Sequence, residues 1–92
     1  MEYNVVHNEG MHRFETQKAG CRALIEYQVL DKEVMNIYHT EVPQSMEGHG
    51  VGSAMMKEAL NFARKNRYKV LPTCPFAQAY LSKHPGYQDI LT

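Results

Sequence analysis

The sequence predicts an α+β fold: a mostly antiparallel, twisted sheet, one strand–helix–strand crossover and a second, C-terminal helix. Cys21 to Leu30 alternates, with Ala23, Ile25, Tyr27 and Val29 on one face and Glu26 and Gln28 on the other. That period of two marks a strand with one buried side. From about residue 50 to residue 66 the apolar spacing changes to the helical period, which gathers side chains into one stripe. Between these two segments lies a turn carrying Gly48, Gly50 and Gly52.

The elements follow in order. Residues 3–7 and 11–16 are short polar–apolar alternations, separated by the turn signal Asn8-Glu9-Gly10. After Cys21–Leu30, Asp31-Lys32-Glu33 makes a tight polar turn and residues 34–42 return as the next strand. So short a connection predicts an antiparallel neighbour. Pro43 ends that strand, because it has no N–H to give a central ladder. In the helix over residues 50–66, Val51, Met55, Ala59 and Phe62 form one stripe, flanked by Met56, Leu60 and Ala63. Ser53, Lys57, Asn61, Arg64 and Lys65 take the outer face. Residues 68–71 are a short strand, and a helical crossover makes the last strand pair parallel. Pro75 to Lys83 is a second helix, with proline suited to its first turn, and His84-Pro85-Gly86 stops it.

A chain of 92 residues reads as one small domain, residues 1–92, that buries about two-thirds of its unfolded surface. Hydrophobic content of 43% and charged content of 22% are ordinary for a soluble domain. No segment approaches the ~18 apolar residues that span a bilayer, so no membrane partner is expected. The N-terminal Met1-Glu2-Tyr3-Asn4-Val5-Val6 has no basic stretch before an apolar run, so no secretory signal is expected. The expected location is cytoplasmic, with Cys21 and Cys74 as reduced thiols. Formal net charge is zero, without the basic patch that nucleic-acid binding uses. The five histidines show no metal-site spacing, so no metal is expected.

The chemistry concentrates at Glu47-Gly48-His49-Gly50-Val51-Gly52-Ser53, after a strand and before an amphipathic helix. The first N–H groups of a helix have no internal partner, and the dipole puts partial positive charge there. Glycines let the backbone approach a phosphate and adopt positive φ. Together these make an anion site suited to pyrophosphate. A nucleotide P-loop needs a lysine after its last glycine, and none follows Gly52. A dinucleotide fingerprint needs an acidic residue about 20 positions on, where Pro72 stands. The remaining candidate is the pyrophosphate of coenzyme A.

Cys74 lies between a strand end and Pro75, where a helix N-terminus favours a thiolate. It suits a nucleophile, a wall of the site, or a small apolar core residue. His39 alternates with Met35 and Ile37. It is either a base for an incoming ammonium or a satisfied core residue. His49 touches phosphate or faces solvent.

The segment His39-Thr40-Glu41-Val42, followed by Glu47-Gly48-His49-Gly50-Val51-Gly52, resembles the acetyl-CoA motif Q/R-x-x-G-x-G/A of the GNAT superfamily of N-acetyltransferases. Glu47 takes the first position, and Gly50 and Gly52 are the two glycines. The chain further resembles the short YjdJ-like branch, through His39-Thr40, the glycine turn, Cys74-Pro75-Phe76-Ala77 and Tyr87-Gln88-Asp89.

The resemblance implies a truncated GNAT-like fold and acetyl-CoA as cosubstrate. Acetyl would pass to an unidentified amine, on a small molecule or a protein. It implies a splayed strand whose backbone at Thr40, Glu41 and Val42 holds the pantetheine arm. The pyrophosphate would lie on the N–H groups of His49, Gly50, Val51, Gly52 and Ser53, in the turn that Gly48 opens. The thioester would reach toward His39 and Cys74, with Pro75 and Phe76 beside it. Larger members commonly carry an asparagine near the position of Cys74 and a tyrosine seven residues on, where Leu81 stands here. The chain is also too short for the usual helices between the first strands and for the final strand pair. The alternative is therefore a non-catalytic CoA or acyl-CoA-binding module. A monomer or a weak dimer fits the small core.

Overall fold

In the computed structural model, which describes residues 3–92, the strands lie in one sheet in chain order. Met1 and Glu2, part of the N-terminal segment read above for a leader, fall outside the described residues. β1 (Val6–Asn8), β2 (Arg13–Lys18), β3 (Cys21–Leu30) and β4 (Val34–Glu41) pair antiparallel. α1 (Val51–Lys65) crosses over to β5 (Lys69–Pro72), which pairs parallel to β4. α2 (Pro75–Lys83) follows, and a 3-10 segment, Pro85–Ile90, closes the chain. The α+β architecture and the crossover are as the sequence predicts.

Local chemistry explains most boundaries. The β3–β4 turn holds Asp31 and Lys32 at φ 51° and 63°, the left-handed pair that suits a tight hairpin with right-handed twist. Pro75 sits in the first turn of α2, and its missing N–H costs that turn nothing. One face of the sheet, with Phe14, Ala23, Ile25, Tyr27, Met35, Ile37 and Val70, packs against Met55, Met56, Ala59, Leu60 and Ala63 of α1 and Ala77 and Leu81 of α2. Strand alternation sends the intervening residues to the opposite face. There Arg13 pairs with Glu26 at 3.3 Å and Arg22 with Glu15 at 3.8 Å.

Several details differ from the sequence reading, among them β2, which runs Arg13–Lys18 rather than over residues 11–16, and β4, which ends at Glu41 rather than at residue 42. The first strand begins at Val6 rather than Tyr3, and a 3-10 turn, Glu9–Met11, follows it; Asn8 caps that turn through its side chain. β5 is displaced by one residue. Phe62 is half-buried, in an aromatic group with His7, Phe14, Tyr27 and Tyr68. Arg64, expected on the free outer face, donates to the Gly86 carbonyl at 2.9 Å and to Asp89 at 2.6 Å, which fixes the 3-10 segment to α1.

Candidate functional site

β4 has two neighbours along its first half and one along its second. Its ladder with β3 continues to Glu41, whereas its ladder with β5 ends at the Ile37–Pro72 pair. The N–H groups of Thr73 and Cys74 then both donate to the Ile37 carbonyl, at 3.0 and 3.2 Å, and the chain turns away into α2. The β5-side edge of β4 from Tyr38 to Glu41 therefore has no strand partner. Unpaired strand backbone is a template for an extended ligand.

That edge leads into the glycine turn. Gly48 and Gly50 have φ 79° and 77°, the left-handed region that glycine enters without a Cβ penalty. Gly50 is the N-cap of α1 and makes no side-chain cap bond, so the N–H groups of the first turn point outward unpartnered. A Cβ on either Gly48 or Gly50 would meet nothing within 4 Å: the space before them is open. No acidic residue lies in the first turn of α1, and the helix end keeps its partial positive charge.

Gly52 has a different origin. It lies inside α1, and a Cβ there would stand 2.6 Å from Cζ of Phe76. The Phe76 ring covers the helix start and forms one wall of a cavity of about 470 Å³. Thr40 lines it from β4 and Val42 from just past the end of that strand, Gly48 and Gly50 from the turn, and Gly52 and Ser53 from the start of α1. Met46 and Glu47 line it too. Glu47 holds the first position of the motif, whereas nothing in the sequence singles out Met46.

At the strand end of the cavity, Cys74 caps α2 and is 5% exposed. Its thiol donates to Thr40 Oγ1 at 3.2 Å. Thr40 lines the cavity and Cys74 stands behind it. His39 is corrected: it does not share the face of Met35 and Ile37. The pairing of β3 with β4 shifts between Glu26 and Tyr27, which oppose His39 and Ile37 respectively. Tyr38 is the extra residue of a bulge, which reverses the alternation that follows. Thr40 thus faces the helices with Ile37, and His39 faces the other way, its side chain 46% exposed and 3.4 Å from the Glu41 carboxylate. The core-residue reading of His39 falls with this geometry.

His49 is exposed and lines a neighbouring cavity of about 330 Å³ with Tyr3, Lys18, Cys21, Ser45 and Met46. Its backbone belongs to the turn, but its side chain faces away from the first cavity. Val51 is buried in the core and contributes backbone to the turn. Pro75 is exposed at the start of α2. Tyr80 stacks on His84 at 3.9 Å and lies near Tyr87; burial raises its pKa.

Comparison with known proteins agrees with this geometry. Residues 13–90 match the family model described as GCN5-related N-acetyl-transferase. Protein NATD1 of Mus musculus is 31% identical over 83 residues, covering 88% of this chain and 76% of the mouse protein. Protein NATD1 of Homo sapiens is likewise 31% identical over 83 residues, covering 88% of this chain and 74% of its own length. The solution structure of a GCN5-like protein from Staphylococcus aureus superimposes with a TM-score of 0.77 at 31% identity, covering 97% of this chain and 87% of that one. A turn of two left-handed glycines at a bare helix start, beside a strand that loses its neighbour, is accounted for by this kinship: the chain belongs to the GCN5-related N-acetyltransferase family.

Proposed function

We propose that the protein is an acetyl-CoA-dependent N-acetyltransferase that passes an acetyl group to an amine. The observation that carries this reading is the continuity of three features: the unpartnered edge of β4 after Ile37, the cavity of about 470 Å³, and the open N-terminus of α1. Their chemistries match an extended amide-bearing arm followed by a pyrophosphate. Backbone at Thr40, Glu41 and Val42 holds the arm. The N–H groups from His49 to Ser53 hold the diphosphate, where Gly48 and Gly50 leave room for it. Phe76 walls the cavity, and Pro75 starts the helix that carries it.

The thioester then lies at the strand end, near Thr40 and Cys74. His39 stands on the opposite face of the sheet, paired with Glu41, so the amine approaches from that face and His39 takes its proton. A backbone N–H on the unpartnered edge of β4 would stabilise the carbonyl oxygen. Two free cysteines suit a reducing compartment, and we assign the reaction to the cytoplasm.

A second reading, a CoA-binding module without turnover, draws support from the sheet face opposite the helices. Only a 3-10 turn separates β1 from β2, and that face meets solvent through charged side chains. The same openness suits a large acceptor. Calorimetry with CoA, followed by an acetyl-CoA turnover screen on an amine library, separates the readings. Binding with turnover supports the transferase, binding alone supports the module, and no binding removes both.

A further inference from the structure

We propose that Thr40 is the acid that protonates the departing CoA thiolate, and that Cys74 resupplies its proton. This inference rests on the acetyl-transfer reading above. The lining of the cavity is mostly apolar side chains and glycine backbone. Thr40 and Ser53 are the hydroxyl donors in that lining, and Ser53 sits at the opposite end, in the first turn of α1. A thiolate leaving at the strand end therefore meets the Thr40 hydroxyl. That hydroxyl already accepts a hydrogen bond from the Cys74 thiol at 3.2 Å, so it can give its own proton forward while it takes one from behind.

The same geometry argues against Cys74 as the acyl acceptor. Attack needs the thioester carbonyl within about 3–3.5 Å of sulfur, but the sulfur is buried behind Thr40 and its proton is directed at Thr40. Tyrosine is not available as the acid either: Leu81 holds the matching position, and Tyr80 is stacked on His84. The step balances as follows. The amine nitrogen forms a bond to the acetyl carbon, and the carbon–sulfur bond breaks with its electron pair on sulfur. That sulfur takes the Thr40 proton, and Thr40 takes the proton of Cys74. The proton lost by the amine passes to His39 and from there to solvent, and solvent returns one to Cys74 before the next turnover. Donor and final acceptor are both thiols, so the relay exchanges like for like.

The test uses acetyl-CoA with spermidine, lysine amide and phenylethylamine as acceptor probes, on the full chain. General acid catalysis is typically worth about 10²–10⁴-fold. Thr40→Val should lower kcat by roughly 10²-fold and keep CoA affinity and melting temperature, and Thr40→Ser should restore most of the rate. Cys74→Val should match Thr40→Val, and the double variant should be no slower than either, because a chain of donors acts as one unit. Cys74→Ser, which keeps an O–H, should retain most of its turnover. Full activity in Thr40→Val overturns the relay and leaves the transferase reading standing. So does an acetyl adduct on Cys74 with Cys74→Ser inactive. A wild-type protein that does not bind CoA, or does not turn over with any probe, overturns the transferase reading and the relay with it.

Discussion

The ring of Phe76 lies against residue 52 so closely that a Cβ there would stand 2.6 Å from Cζ. The third glycine of the turn is thus set by an aromatic side chain on α2, and the first two by backbone conformation. Gly52→Ala should push the Phe76 ring outward, an overpacking cost of about 1–3 kcal/mol set against about 1 kcal/mol gained by replacing a helix glycine, for a net loss of up to about 2 kcal/mol. Combining it with Phe76→Leu should recover much of that loss, because the two residues share one contact. Urea titration of the four proteins in the cycle measures the coupling; additive losses would mean that the contact is not what Gly52 accommodates.

At Gly50 the space is open but φ is 77°. An alanine there is expected to cost about 1–2 kcal/mol in backbone strain, with CoA affinity otherwise kept in the folded fraction. Gly50→Glu adds a negative charge where the diphosphate is proposed to lie. Loss of even one charge-assisted hydrogen bond, about 1.5–3 kcal/mol, should weaken CoA binding by at least tenfold in calorimetry.

Arg64 and Asp89 join the end of α1 to the C-terminal segment at 2.6 Å. The hydrogen bond from Arg64, followed by its charge, holds the Asp89 carboxyl below its ordinary pKa. A lowered carboxylate pKa adds stability that is present above the unfolded value, about 3.9, and is lost as pH falls through the folded one. Asp89→Asn should therefore melt below the wild type at pH 7, and the gap should close in acid. Arg64→Ala should lower the melting temperature more than Lys57→Ala, although both sit on the outer face of one helix.

His7 shares a 2.6 Å hydrogen bond with Tyr27, and its ring stacks on Phe14 at 4.0 Å. Burial is the main cause that lowers its pKa, opposed by Glu9 and reinforced by His12. Burial also pushes Tyr27 up to about 12, so the phenol stays protonated. A histidine held neutral in the fold supports full stability above its unfolded pKa, about 6.5, and loses it as pH falls through the lower folded value. The denaturation midpoint should drop between pH 7.5 and 5.5, and His7→Gln should flatten that drop.

Much of this molecule was legible in the sequence, and its failures have identifiable causes. Cys21–Leu30 and Pro75–Lys83 are bounded by turn residues and a first-turn proline, and the structure keeps both limits. The turn that opens α1 was legible because its glycines stand where a strand gives way to a helical stripe. His39 was misplaced because alternation assumes an unbroken ladder, and the bulge at Tyr38 follows from the pairing of β4 with β3, which nothing in Ile37-Tyr38-His39 announces. The closing segment was missed for a similar reason: Arg64 looks like any exposed helix cation until Asp89, 25 residues later, folds back onto it. The hydroxyl of Thr40 was read only as part of a backbone run, since its neighbour Cys74 lies 34 positions away.

The measurement that reaches the central claim most directly is an amide NMR titration of the protein with CoA. The proposed mode predicts saturable shifts at Thr40 and Glu41 on the unpartnered edge of β4, at Val42 just beyond it, and from Gly48 to Ser53 at the start of α1. Amides on the far side of the sheet, such as Arg13 and Gln28, should stay still. A spectrum unchanged by CoA, or shifts confined to residues away from that edge and turn, would contradict it.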